Sequence, residues 1–122
     1  MFLLETDTTK QLFVLSVAGA ITVEESKETV GRVREKLTEL SPGFVGLIDF
    51  RWMESMPAAS APFIAEIMDA FAAKGVSAVV RVMPDPHRDI GLNILSPFHY
   101  GPDVRLMTFE TLADAIQALA SD

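Results

Sequence analysis

The chain has 122 residues, of which 49% are hydrophobic and 22% are charged. This balance is typical of a globular protein, and we expect a single domain over residues 1–122. The net charge of −7 disfavours nucleic acid and anionic membrane surfaces as partners, because both carry negative charge. The sequence contains no cysteine, which excludes disulfides, thiolate zinc sites and cysteine nucleophiles and is typical of a reducing compartment.

The sequence also lacks the signals of a membrane or secreted protein. No apolar run approaches the roughly 20 residues that a membrane-spanning helix needs. The first ten residues, MFLLETDTTK, lack the basic region of a signal peptide. We therefore expect a cytoplasmic protein without a transmembrane segment.

The first predicted elements are a strand pair and a helix. FLLE (2–5) and QLFVLSVAG (11–19) are the two strands, and TDTTK is the turn between them. Thr22 begins the helix, because an acid three residues later gives the spacing of a capping box. Its apolar residues recur three, four or seven positions apart, and Ser41-Pro42-Gly43 stops it.

The middle of the chain predicts a strand, a loop and a second helix. FVGLIDF (44–50) is a buried strand, residues 51–60 are a loop, and the helix covers residues 61–74. Ser60 is a candidate N-cap, because serine is favoured there and Pro62 lies just inside the helix start. Gly75 supplies the left-handed residue past the end of the helix.

The remaining elements complete an alternating pattern. VSAVVRVM (76–83) is a strand, Asp85-Pro86 begins a helix that runs to about Leu95, and VRLMTF (104–109) is the last strand. Thr111 with Asp114 begins the final helix. The order ββαβαβαβα predicts an α/β fold with a single-layer, mostly parallel mixed sheet and right-handed crossovers.

Three segments carry a resemblance to a known family. They are Gly19-Ala20-Ile21-Thr22-Val23-Glu24 at the entry to the first helix, the strand GLIDF (46–50) ending near an aspartate, and the closing MTFETLADAIQAL (107–119). Together with the element order, they make the chain resemble the STAS domain. This is the SpoIIAA-like fold of anti-sigma factor antagonists and of sulfate-transporter tails.

The resemblance implies a non-catalytic regulatory domain that binds an anti-sigma factor or a kinase-like protein. In that family a kinase phosphorylates a serine or threonine at the N-terminus of the second helix, which breaks a complex. Ser60 matches this position, with alanines where the family has aspartate and glycine, and Ser55 is a second phospho-acceptor candidate that follows an acid. The predicted partner-binding residues are Trp52, Met53, Glu54, Met56 and Ser60.

A second hypothesis with the same fold is a small-molecule or lipid carrier of the SEC14-like type. Trp52, Met53 and Met56 either form an adaptable contact surface or tuck under their loop as part of the core. Together with the aromatic loop 98–100 they would form the mouth of a ligand site. Such a carrier needs a cavity on the order of several hundred cubic ångströms.

A third hypothesis is an enzyme built on Asp49, Glu54 and His99, which requires the three side chains to converge in one pocket. Asp49 also suits a structural role, ending its strand and accepting hydrogen bonds from loop N–H groups. Asp85, His87 and Asp89 do not share a helix face, so their spacing does not favour a metal site.

The sequence lacks the common catalytic and nucleotide-binding motifs, including the P-loop, GxGxxG, GxSxG and HExxH. We therefore predict no catalytic residues, no metal and no cofactor. The apolar loops are compatible with a homodimer.

Overall fold

The structure is a computed structural model that describes residues 1–83, 100 and 103–120. The predicted helix from Asp85 to about Leu95, together with Phe98 and His99, lies outside the described residues. None of the described helices is long and apolar enough to cross a membrane. The strands are β1 (Phe2–Asp7), β2 (Leu12–Ala20), β3 (Val45–Ser55), β4 (Ala78–Val82) and β5 (Arg105–Phe109), and the helices are α1 (Val23–Leu37), α2 (Ala61–Lys74) and α3 (Leu112–Ala120).

The five strands form one sheet in the order β1-β2-β3-β4-β5. β1 and β2 are antiparallel, as expected for a hairpin, whereas β2, β3, β4 and β5 run parallel to one another. The predicted α/β fold with a mostly parallel, mixed sheet is therefore confirmed.

Helices cover the two faces of the sheet separately. α1 and α2 pack on one face, with a core that includes Phe13, Ile48 and Phe71. α3 packs on the other face over β4 and β5, where Leu47 and Val80 are buried. These are called the α1/α2 face and the α3 face below. Because successive strand residues point to opposite faces, each position in β2 and β3 is assigned to one of them.

The third strand is longer than predicted, and the predicted loop was wrong for residues 51–55. Residues 51–55 continue β3 and pair with the end of β2, so that Trp52 lies opposite Ala18 and Met53 opposite Gly19. Between Asp49 and Trp52 the register shifts, because two residues of β3 there correspond to Val17 alone on β2. This is a β-bulge, which bends a strand and changes the direction of its side chains.

The ends of α1 and α2 show which local signals were reliable. The predicted capping box is confirmed, because the Glu25 N–H donates to Thr22 Oγ1 at 3.1 Å and the Glu25 carboxylate accepts from the Thr22 N–H at 3.3 Å. Gly75 ends α2 with φ of 92° in the left-handed region, as predicted. The side-chain cap at Ser60 was wrong: its backbone is helical, because a 3₁₀ turn over Ala58–Ser60 precedes α2.

Phe71 is the centre of the core on the α1/α2 face. Its fully buried ring lies 5.0 Å from the ring of Phe13 and 5.7 Å from that of Phe44, measured between centroids. A Cβ atom added at Gly46 would stand 3.0 Å from Cε2 of Phe71, closer than such contacts normally occur. The ring therefore rests on β3 where the strand has no side chain.

We predict opposite effects for two glycine-to-alanine substitutions. Gly46→Ala is expected to lower the free energy of unfolding by about 1–3 kcal/mol, because the ring of Phe71 must move within a packed core. Gly31→Ala is the control, since a Cβ at this position in α1 meets nothing within 4 Å. It is expected to raise the free energy of unfolding by about 0.5–1 kcal/mol. Urea denaturation measures both, and a neutral Gly46→Ala contradicts the packing argument.

Candidate functional site

The predicted site residues gather at the carboxyl ends of β2 and β3, where open α/β sheets usually place their sites. The Ile21 N–H donates to the Ser55 carbonyl at 2.9 Å, so the end of β3 lies directly beside the entry to α1. The chain then enters α2 within six residues. Two helix starts and the end of β3 therefore meet in one small region.

The predicted apolar cluster is divided between two faces. Trp52 is 66% exposed and, lying opposite Ala18, belongs to the α3 face. Met53 and Met56 are half-buried and pack against the core on the α1/α2 face. The two interpretations left open by the sequence therefore apply to different residues, with Trp52 accessible for contact and the methionines extending the core. Glu54 and Ser55 are exposed.

Asp49 is held by Arg51, a residue that the sequence did not single out. Asp49 is 7% exposed, and both of its carboxylate oxygens accept from the Arg51 guanidinium at distances of 2.9 to 3.1 Å. The Arg51 backbone N–H adds a bond of 3.0 Å to Oδ1. This bidentate arrangement raises the pKa of Arg51 through its hydrogen bonds to Asp49. The spacing Asp49-x-Arg51 was the available signal, since alternate strand residues share a face.

The guanidinium of Arg51 also contacts Trp52. Its central carbon lies 5.6 Å from the centroid of the indole ring, within the range of cation–π interactions. Asp49 therefore fixes Arg51, and Arg51 supports Trp52. We call these three residues the arginine–tryptophan patch. Across the sheet, Leu3 and Ser16 lie in register with Asp49, and Leu3 is 52% exposed, so the accessible surface continues to β1.

Ser60 has no exposed surface. Its Oγ lies 2.9 Å from Oγ of Ser26 in α1, and Ser26 Oγ lies 3.1 Å from the carbonyl oxygen of Thr22. The Ser26 hydroxyl is thus placed to donate either to Ser60 Oγ or to the Thr22 carbonyl, which also accepts from the Ser26 N–H at 3.2 Å. Ser60 thus connects the start of α2 to α1.

Sequence reasoning missed Ser26, although a signal was present. Ser26 lies four residues before Val30 and seven before Val33, on the buried stripe of α1, and it is fully buried. A serine on that stripe needs a polar partner inside the fold. The sequence could not show that this partner is Ser60, because the two residues are 34 positions apart.

The core beside α2 contains one small cavity next to Ile48, Ile64, Arg81 and Tyr100, with a volume of about 20 Å³. That is space for about one water molecule, whereas small-molecule sites occupy roughly 300–1,000 Å³. Arg81 donates to Thr108 Oγ1 at 2.7 Å, and burial raises the pKa of Tyr100. Tyr100, which the sequence placed in an aromatic loop, is therefore a core residue.

Of the residues considered for an enzyme or a metal site, only Asp49 and Glu54 lie in the part of the chain that the structure describes. Asp49 is fully engaged by Arg51 and Glu54 is exposed, while His99 lies outside the described residues. Among residues 1–83, 100 and 103–120, no cluster of acids and histidines has the geometry of a metal site. Asp85, His87 and Asp89 also lie outside the described residues.

Solved structures of other proteins share this architecture. No family model and no curated protein matches the sequence. An uncharacterised protein of the DUF3478 family from Shewanella loihica has a TM-score of 0.71 at 17% identity, covering 98% of this chain and 92% of that one. The anti-sigma factor antagonist SpoIIAA in its unphosphorylated form has a TM-score of 0.65 at 16% identity, covering 100% of both chains. The chain has the SpoIIAA-like fold.

Two further structures agree with this assignment of the SpoIIAA-like fold. An anti-sigma factor antagonist from Mycobacterium paratuberculosis has a TM-score of 0.62 at 21% identity, covering 98% of this chain and 93% of that one. The phosphorylated form of Bacillus SpoIIAA has a TM-score of 0.63 at 15% identity, covering 98% and 99%. The resemblance inferred from the sequence is confirmed for the fold.

We predict that Arg51→Ala loosens the arginine–tryptophan patch. The free energy of unfolding is expected to fall by about 1–3 kcal/mol, because buried Asp49 loses its charged partner. Trp52 is the single tryptophan of the chain, so fluorescence anisotropy and acrylamide quenching report on its mobility directly. Anisotropy should fall and quenching should rise. Arg34→Ala, at an exposed position, is the matched control and should change stability by at most about 0.5 kcal/mol.

Proposed function

We propose that the chain is a non-catalytic regulatory domain that binds a protein partner through the arginine–tryptophan patch and the segment that follows it, to Ser60. The observation that carries this proposal is Trp52, a large aromatic side chain that is two-thirds exposed and supported by an anchored arginine. Tryptophan and arginine are enriched at interface hot spots. A side chain that is already positioned loses less conformational entropy on binding.

The fold and the charge support a particular kind of partner. SpoIIAA and the Mycobacterium protein are anti-sigma factor antagonists, which supports an anti-sigma factor or a kinase-like protein as the partner of this chain. A net charge of −7 favours association with a complementary basic surface. We place this interaction in the cytoplasm.

Serine phosphorylation is the proposed switch, with Ser60 as the acceptor and Ser55 as the second candidate. SpoIIAA exists in unphosphorylated and phosphorylated forms, which supports this regulation for the fold. Because Ser60 is buried against Ser26, a phosphate there must separate the start of α2 from α1. Ser55 is exposed, so a phosphate there adds charge without displacing a helix.

The carrier and enzyme hypotheses receive less support from the described residues. A cavity of about 20 Å³ is more than tenfold too small for a ligand site. Asp49 accepts hydrogen bonds at both oxygens and therefore has no free atom with which to accept a substrate proton while paired with Arg51.

The first test compares two exposed apolar residues. Trp52→Ala should abolish capture of an anti-sigma factor or kinase-like protein from the source cells, as identified by mass spectrometry. Truncation of a central hot-spot residue typically costs at least about 2 kcal/mol, roughly thirtyfold in Kd. Ile116→Ala, on α3 at 52% exposure, is the control and should capture the same protein as the wild type. Equal capture by Trp52→Ala contradicts the proposed site.

The second test separates the two phosphorylation sites. Ser60→Asp should lower the free energy of unfolding by about 2 kcal/mol or more, because it places a carboxylate in a fully buried position. Ser55→Asp should change stability by about 0.5 kcal/mol or less.

The same two variants address the switch when their affinity for the captured partner is measured by isothermal titration calorimetry. Ser60→Asp is expected to weaken the complex, whereas Ser60→Ala, which has no added charge, should retain most of the affinity. An unchanged Kd for Ser60→Asp argues against a switch at Ser60, and weakening by Ser55→Asp alone assigns the switch to Ser55.

A further inference from the structure

A second surface lies at the opposite end of α1 and α2. In a crossover between parallel strands the helix runs antiparallel to the strands, so both helices end near the amino ends of β3 and β4. The Gly43 N–H donates to the Gly75 carbonyl at 2.7 Å, which brings the segments after the two helices together. This surface is therefore remote from Trp52 and Ser60.

An open groove separates the C-terminal halves of the two helices. It has a volume of about 320 Å³. Leu37 is almost completely buried, Ala70 is partly accessible and Ala73 is exposed, so the accessible apolar part of the lining consists of small side chains. The lining residues are Arg34, Leu37 and Thr38 of α1 and Ala70, Ala73 and Lys74 of α2.

Two cations beside this groove have no ionic partner among the described residues. Arg34 and Lys74 make no ion pair or hydrogen bond with any residue that the structure describes, whereas nearby Lys36 pairs with Glu39 at 3.4 Å. A cation near a helix C-terminus is favourable by about 0.3–1 kcal/mol, which accounts for a positive charge at each end. It does not account for two uncompensated charges that border the same apolar groove in a chain of net charge −7.

Gly31 extends the surface of small residues along α1. It lies three residues before Arg34 and seven before Thr38, on the same side of the helix. A Cβ there would meet nothing within 4 Å, so internal packing does not require glycine at this position. An exposed glycine inside a helix lowers stability by about 0.5–1 kcal/mol relative to alanine. A glycine at position 31 would allow the backbone of another helix to approach α1 closely.

We propose that the groove between the C-terminal halves of α1 and α2 binds an acidic amphipathic helix of a protein partner. Helices pack at interaxial distances of about 8–10 Å, and small residues such as Ala70, Ala73 and Gly31 permit the close end of that range. The apolar face of the partner helix contacts the floor of the groove, and its carboxylates pair with Arg34 and Lys74. This surface is independent of the arginine–tryptophan patch.

The test uses a synthetic 14-residue helical peptide, amidated at its C-terminus, with one leucine–alanine face flanked by glutamates. Backbone amide shifts of the full chain are followed by NMR during titration. Shifts are expected at residues 34–38 and 70–74, and an otherwise identical peptide with lysine for glutamate should produce none. Raising the ionic strength should weaken binding, because the charges on the rim are exposed to solvent.

Charge reversal provides the matched comparison. The double variant Arg34→Glu/Lys74→Glu should weaken binding of the acidic peptide by about tenfold or more, since two favourable pairs become repulsive. Lys10→Glu, at an exposed position between β1 and β2, is the control and should leave the Kd within about twofold. The same spectra show whether each variant is folded.

The proposal is overturned if the acidic peptide shifts no groove resonances at millimolar concentration, if the lysine peptide binds equally well, or if charge reversal has no effect. Trp52→Ala should bind the acidic peptide as the wild type does. Partner capture tests the arginine–tryptophan patch, and peptide binding tests the groove. The two measurements therefore distinguish failure of one site from failure of the other.

Discussion

The contact between Phe71 and Gly46 determines how closely α2 lies on the sheet. A side chain at Gly46 would occupy the space of the aromatic ring, and Phe13 and Phe44 hold that ring in place. Because α2 is rigid over its 14 residues, the position of Phe71 also fixes the start of the helix two to three turns earlier. The 2.9 Å contact between Ser60 and Ser26 depends on that placement. A packing constraint in the core thus controls a polar contact at the site.

The two candidate surfaces use opposite ends of the same helix pair. At one end, Ser60 and Ser26 join α2 to α1 through buried hydroxyl groups. At the other end, Arg34 and Lys74 leave an open groove between the helices. A force that separates the helices at the buried end would also alter the width of the groove, because both helices are continuous between the two sites. The geometry therefore permits communication between the two candidate surfaces.

The fold was predictable because its signals are local and agree with one another. The capping box at Thr22, the left-handed Gly75 and the alternation of strands with helices all specify elements that tertiary packing does not overrule. The site was less predictable. Residues 51–55 lack the pattern of a buried strand, and they extend β3 because β2 offers backbone partners for them. Ser60 fits the statistics of a helix cap, but its actual partner comes from a distant part of the chain.

The bulge at Phe50 and Arg51 sets the face of the sheet to which each later residue of β3 points. Before the bulge, even-numbered residues of β3 face α1 and α2, while after it the odd-numbered Met53 does so and Trp52 faces the other way. If β3 kept its length but paired without the bulge, these two directions would be exchanged, turning the indole inward and a thioether outward. The bulge thus determines which side chains reach each face of the sheet, as the residue types themselves do. A related chain that keeps the length of this strand but pairs without the bulge would present a different surface.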